Sequence, residues 1–343
     1  MWGHLFLAVL LTSALSACAT GTRASSTVTD VQVRLAAADP AHLRVLVMGD
    51  QGKGRAVQPA VARAMRVVCA GLGCDLGVGL GDNIYPRPPR DPADPAFTRL
   101  FAELYGPLGI PFLMAAGNHD ESWLLGGDGA DPAALASELA YAYRNPQWVM
   151  PARTYRAQWA DLAEFFVVDT APLAAYLPVH DPQFRPGSAF DLGQRAWLDA
   201  SLRASTARWT IVLGHHPLLS GGRHGNAGAY DGSLLPWGRG DAVQALYGPA
   251  CGRADLLASG HDHSLQLYPA TTAACPGTTL MVSGAAGENA GQGQGNAQAQ
   301  YQNYTQPGFF WLDLTRERLE VRAYTVDAAG QATLAYTTAV QKP

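Results

Sequence analysis

Short apolar runs recur along the chain, and several stop on a glycine followed by a polar residue. The run 43–48 ends at Gly49-Asp50, 75–80 at Gly81-Asp82, and 111–116 at Gly117-Asn118-His119-Asp120. Apolar runs of this length closed by turn residues read as buried strands. Between them, 57–68 and 97–105 carry the spacing of helices. Asp50 to Asp82 is 82 − 50 = 32 residues and Asp82 to Asn118 is 118 − 82 = 36. Each is close to one strand–helix–strand crossover of about 30 residues or more. Parallel strands joined in this way gather the residues just past their C-terminal ends along one sheet edge, where open α/β folds bind ligands.

The pattern continues with strands at 154–158 and 164–168, a helix at 192–204, and strands at 209–213 and 254–258. Strands at 265–268, 279–283, 309–314, 319–324 and 332–337 complete it, so two sheets flanked by helices are expected. Two segments are long for connections: 284–303, rich in Gly, Ala, Gln and Asn, and 123–143. Either could wall a substrate site, although solvated mobile loops are the favoured reading. No internal repeat is visible.

The amino terminus adds a targeting signal. Its apolar run 5–11 is too short to span a bilayer but suits a signal peptide of residues 1–17. Leu15-Ser16-Ala17-Cys18 resembles a bacterial lipobox, which implies acylation at Cys18 and a lipoprotein on the periplasmic face of a membrane, the outer one given Ala19. The n-region offers only His4 and the amino group as positive charge, so an ordinary cleaved signal is the alternative. Residues 18–41 then form a lipidated tether and 42–343 the folded domain, with membrane contact only through the lipid.

Four cysteines remain: Cys69, Cys74, Cys251 and Cys275. Export favours two disulfides, and the short spacer favours Cys69 with Cys74, leaving Cys251 with Cys275. A structural zinc site is the alternative, disfavoured because no C-x-x-C pair is present. A formal net charge of −4 excludes the basic footprint of a polymeric nucleic-acid binder and leaves a small phosphorylated substrate open.

Candidate chemistry stands at the strand ends: Asp50, Asp82, Asn118, then His215 after 210–213, and His261 with His263 after 256–259. Hard oxygen donors and imidazoles in this supply suit two metal ions, which neutralise phosphoryl charge and activate water. The blocks Gly49-Asp50, Gly81-Asp82-Asn83, Gly117-Asn118-His119-Asp120, Gly214-His215 and Gly260-His261-Asp262-His263 resemble, in order, the signature blocks of the calcineurin-like metallophosphoesterases. That resemblance covers about residues 43–290 and implies an α/β four-layer αββα sandwich with two central mixed sheets.

Most of that superfamily carries a histidine two residues after the first aspartate, where this chain has Asp50-Gln51-Gly52. Tyr85 resembles the compensating ligand of the purple acid phosphatases, closest to their smaller, tartrate-resistant type. The likeness implies a dinuclear centre of Fe(3+) plus a divalent Fe, Zn or Mn. Asp50, Tyr85 and His263 would hold the ferric ion, Asn118, His215 and His261 the divalent ion, and Asp82 would bridge. It also implies His119 and His224 as catalytic proton donors. His216 reads as a packing or hydrogen-bonding neighbour, Asp120 as orienting His119 or capping a helix, and His42 and His180 as surface residues.

The expected reaction is hydrolysis of phosphate monoesters by a hydroxide bound to the dinuclear metal centre, as in acid phosphatases. A phosphodiesterase or nucleotidase on the same scaffold is the alternative, because a two-metal core does not itself distinguish ester types. A non-catalytic binding lipoprotein is a distant third.

Overall fold

Alternate residues of Leu43–Met48 face opposite layers: Leu43, Val45 and Val47 join a core between two sheets, while Leu46 and Met48 face helices. The same division runs through the whole computed structural model, which describes residues 10–11, 28–235, 237–289 and 291–342. Cys18, most of the expected leader and the early tether lie outside the described residues. Leu10–Leu11 form a short strand against Gln32–Arg34.

One sheet has seven strands, ordered Ala332–Gln341, Arg318–Val326, Gly308–Leu314, Leu43–Met48, Leu76–Gly79, Phe112–Met114 and Trp148–Val149. Its last four are parallel, and the C-terminal three run antiparallel. The other sheet carries a parallel core of Ala163–Val167, Trp209–Leu213, Leu256–Ser259 and Thr279–Ser283. Antiparallel Tyr155–Trp159 and Leu265–Tyr268 flank that core.

Val47, Val78, Leu113 and Phe310 of the first sheet meet Phe165, Ile211, Leu256 and Met281 of the second in the central core. Helix Val57–Leu72 and the helical segment through Pro95–Phe97 and Glu103–Tyr105 cover the outside of the first sheet. Helices Ala189–Ala204 and Asp241–Tyr247 cover the second. The result is the expected αββα sandwich with mixed sheets. Both disulfides take the favoured pairing, Cys69–Cys74 and Cys251–Cys275.

The fold starts earlier than His42, a correction to the tether expected over 18–41. Gln32–Arg34 lies parallel to Tyr155–Trp159, and the buried Val33 enters the central core. Three residues with one buried side chain leave too short a pattern to stand out in sequence.

Candidate metal centre

The parallel strands of both sheets end at one rim, and the ligand candidates occupy the first residues beyond those ends. Asp50, Asp82, Asn118, His215 and His261 each follow a glycine, and the packing around those five glycines leaves no room for a Cβ. A Cβ on Gly117 would lie 2.2 Å from the Asp82 backbone nitrogen, and Gly81 has φ +89° with the His215 ring 2.7 Å from where a Cβ would stand. Asp50, Asp82 and His261 themselves hold left-handed φ values of 57°, 54° and 67°. Non-glycine residues rarely adopt this conformation, and it clusters at functional sites.

The seven expected ligands converge as two sets sharing Asp82. In the first, the Tyr85 hydroxyl donates to Asp82 Oδ2 at 2.5 Å and lies 3.1 Å from Asp50 Oδ1. His263 Nε2 is 3.4 Å from both the Tyr85 oxygen and Asp50 Oδ1. In the second, Asn118 Oδ1 is 2.9 Å from His215 Nε2 and 3.0 Å from His261 Nδ1. Asp82 Oδ1 completes this set 3.5 Å from His215 Nε2. Donor atoms at such separations can surround an ion at roughly 2.0–2.2 Å.

The electrostatics favour a cation in the first set. Burial of the hydroxyl, then the adjacent Asp82 and Asp50 carboxylates, push the Tyr85 phenol well above its ordinary range. Two buried carboxylates around one hydroxyl are therefore held together by a proton, and a hard cation can take that proton's place. Burial alone would raise the Asp82 carboxyl, but His215, His119 and the Tyr85 hydroxyl hold it below the usual carboxylate range. Burial and neighbouring imidazoles lower His261 well below its ordinary value, which keeps it in the neutral form that ligates.

Groups around the ligands fix their orientation. His215 Nδ1 donates to the Leu80 carbonyl at 2.8 Å, leaving Nε2 free for coordination. Asp120 neither orients His119 nor caps a helix. It accepts from the backbone N–H groups of Gly117, at 2.9 Å, and Asn83, at 2.9 Å, and so ties the second ligand loop to the third. His216 is buried, with Nδ1 2.9 Å from the Thr170 hydroxyl. His180 is exposed beside Asp131, and His42 is partly exposed beside Asp313.

The two expected proton donors stand on opposite sides. The His119 ring is 4.3 Å from the Tyr85 ring, and its Nδ1 is 2.9 Å from the Pro86 carbonyl. The His224 ring lies 4.2 Å from the His261 ring, with Nδ1 2.8 Å from Asp231 Oδ1. Burial disfavours charge on His224, but the hydrogen bond to Asp231 and the charge of Asp262 outweigh it and raise its proton affinity.

Sequence reasoning missed Tyr176, Asp231 and Lys53. The Tyr176 hydroxyl is 3.3 Å from His261 Nε2 and 3.4 Å from His224 Nδ1, linking a ligand to a proton donor. Lys53 Nζ sits 3.7 Å over the Tyr85 ring and pairs with Glu288 at 3.0 Å. Tyr176 lies on an irregular loop and Asp231 in the short 3-10 segment Tyr230–Gly232, and neither carries a periodic signal. Lys53, two residues after Gln51, was visible as one of only two lysines.

Comparison with known proteins points the same way. The calcineurin-like phosphoesterase family profile matches residues 43–265. Purple acid phosphatase 4 of Arabidopsis thaliana is 30% identical over 301 residues, 82% of this chain and 79% of that protein. Tartrate-resistant acid phosphatase type 5 of Mus musculus is 27% identical, covering 65% of this chain and 67% of that protein. Among solved structures, GAP50, the anchor in the inner membrane complex of Plasmodium, superposes with a TM-score of 0.64 at 19% identity, over 88% of this chain and 89% of that one. That last likeness concerns fold alone.

Proposed function

Because the chain belongs to the calcineurin-like phosphoesterase family, with a purple acid phosphatase relative at 30% identity, we propose that it is a metal-dependent phosphatase acting on phosphate monoesters. The observation that carries this reading is the Tyr85 hydroxyl between Asp50 and Asp82, on the side of the site where the Asp50-Gln51-Gly52 segment supplies no imidazole. Ferric iron would be held by Asp50, Tyr85 and His263, a divalent ion by Asn118, His215 and His261, with Asp82 common to both. A dinuclear centre bound there supplies positive charge against the phosphoryl oxygens and lowers the pKa of a bound water.

The chain's own residues do the rest. Asp82 holds the two ligand sets in register through its two oxygens. Its Oδ1 also accepts from the His119 backbone N–H at 2.9 Å, which fixes the loop bearing that imidazole. Both His119 and His224 use Nδ1 for protein contacts, so Nε2 is the atom left to give a proton to the departing oxygen. His224 suits this task because Asp231 keeps it protonated to higher pH than an isolated imidazole.

A pH effect follows. Asp231→Asn removes the charge and the strong acceptor that raise His224, so His224 loses its proton at lower pH. The alkaline limb of kcat should move to lower pH, as read from full pH–rate profiles of the wild type and the variant. An unmoved limb means that His224 is not the proton donor.

Ester preference is checked by assaying p-nitrophenyl phosphate and bis(p-nitrophenyl) phosphate side by side with the same metal-loaded protein. The proposal expects faster turnover of the monoester. A diester preference would identify a phosphodiesterase on this scaffold.

A further inference from the structure

A cavity of about 520 Å3 opens beside His224, and none of the seven ligand residues lines it. Its walls come from two loops: 220–232, which carries His224, and 294–296 of the long glycine-rich segment. The volume falls within the range of roughly 300–1,000 Å3 typical of small-molecule sites.

The walls are held by backbone contacts. Gly295 N–H donates to the Gly221 carbonyl at 2.9 Å, and a Cβ on Gly221 would meet Gly295 at 2.5 Å. On the other side the loop wraps the Asp262 carboxylate, which accepts from Ser220 Oγ at 2.5 Å and from the His224 N–H at 2.9 Å. Asp262 stands between the two ligands His261 and His263, so the cavity is anchored directly to the metal centre.

The lining defines the chemistry it would accept. Asn226, Gln294 and Asn296 contribute amides, and Arg223 contributes a cation. Arg223 is exposed and takes part in no hydrogen bond or ion pair among the described residues; the one carboxylate in the lining, Asp231, is near enough to feel its charge but is hydrogen-bonded to His224 instead. Among the described residues no ring apart from the His224 imidazole lines the cavity, so they offer a nucleobase no other stacking platform. Amides pair with hydroxyl groups, and an unpaired guanidinium pairs with an anion.

We propose that this cavity is the leaving-group subsite and takes a hydroxyl-rich, sugar- or polyol-type group bearing a second anionic substituent, which Arg223 reads. The inference rests on the phosphatase reading above. In the reaction, water gives its oxygen to phosphorus, the ester P–O bond breaks, and the departing oxygen takes the His224 proton to leave as an alcohol, with inorganic phosphate as the other product.

The test uses the metal-loaded protein with fructose 1,6-bisphosphate, fructose 1-phosphate and p-nitrophenyl phosphate, and compares kcat/KM for the two sugar esters. In the wild type the bisphosphate is favoured by about tenfold, the worth of one solvent-screened charge-assisted hydrogen bond. Most of the difference lies in KM. Arg223→Ala brings the ratio near one, and Arg223→Lys keeps part of it. Phosphate release from p-nitrophenyl phosphate with a sugar-ester ratio that Arg223→Ala leaves unchanged, or that is already one in the wild type, overturns the subsite alone. Release from none of the three esters overturns the phosphatase reading, and the subsite with it.

Discussion

Asp82→Asn is expected to lower monoester turnover by about three orders of magnitude or more while leaving the fold in place. Asp82 is the one side chain with an oxygen in each ligand set, Oδ2 toward Tyr85 and Oδ1 toward His215. Asparagine keeps the shape and removes the charge, so the two sets lose their shared anion. Metal ions at such centres supply several kcal/mol of transition-state stabilisation, and each 1.4 kcal/mol is a factor of ten in rate. The check is kcat on p-nitrophenyl phosphate together with metal content per chain. A variant that binds both ions and keeps a tenth of the activity would show that Asp82 does not join the sites.

The second large effect concerns stability. Arg153 reaches from just before Tyr155–Trp159 to two fully buried carboxylates, Glu121 and Asp169, and also donates to the Pro132 carbonyl. Glu121 follows the His119-Asp120 loop of the first sheet, and Asp169 follows Ala163–Val167 of the second, so this cluster clamps the two halves beneath the site. Burial, only partly offset by Arg153, pushes the Glu121 carboxyl well above its ordinary range. Among the described residues, Arg153→Ala leaves Asp169 with only the Ala171 N–H at 3.1 Å and the neighbouring Glu121 carboxyl as hydrogen-bond partners, and no positive charge. Breaking a buried ion pair from one side costs about 3–5 kcal/mol. At roughly 2–4 °C per kcal/mol, the melting temperature falls by about 10 °C. Calorimetry at neutral pH measures it, and a change under about 2 °C, within the range of an ordinary surface substitution, means that Arg153 is not clamping the halves.

The candidate site was legible in sequence to the degree that its residues follow glycine at strand ends. Asp50, Asp82, Asn118, His215 and His261 could be placed because the runs before them have strand length and their spacing matches crossover units. What surrounds them was not legible. Tyr176 meets His261 across 85 residues and His224 across 48, from a loop whose path depends on the packing of both sheets. Asp120 offered two local readings and took neither, because beyond the Gly117 N–H of its own loop it binds the Asn83 and Ile84 N–H groups of a different ligand loop.

The fold divides the same way. Leu43–Met48, Trp209–Leu213, Leu265–Tyr268 and Thr279–Ser283 keep their expected bounds. Two-to-three-residue strands such as Trp148–Val149 and the half-exposed edge Tyr301–Asn303 carry too few periodic positions to stand out. Helix Val57–Leu72 runs four residues past its expected end at Val68. The helix passes Gly71 and closes only at Gly73, with φ 82° and an N–H bonded to the Cys69 carbonyl at 2.8 Å.

The central claim, that Tyr85 is a metal ligand in a dinuclear iron-containing phosphatase, is met most directly by one comparison. The visible absorption spectrum, the metal content and p-nitrophenyl phosphate hydrolysis are measured on the purified protein and on Tyr85→Phe. A broad visible band that the variant lacks, with iron present and activity in the wild type, is the result this account predicts. A colourless, iron-free and active wild type would contradict it and would leave Tyr85 as a hydrogen-bonding neighbour of Asp50 and Asp82.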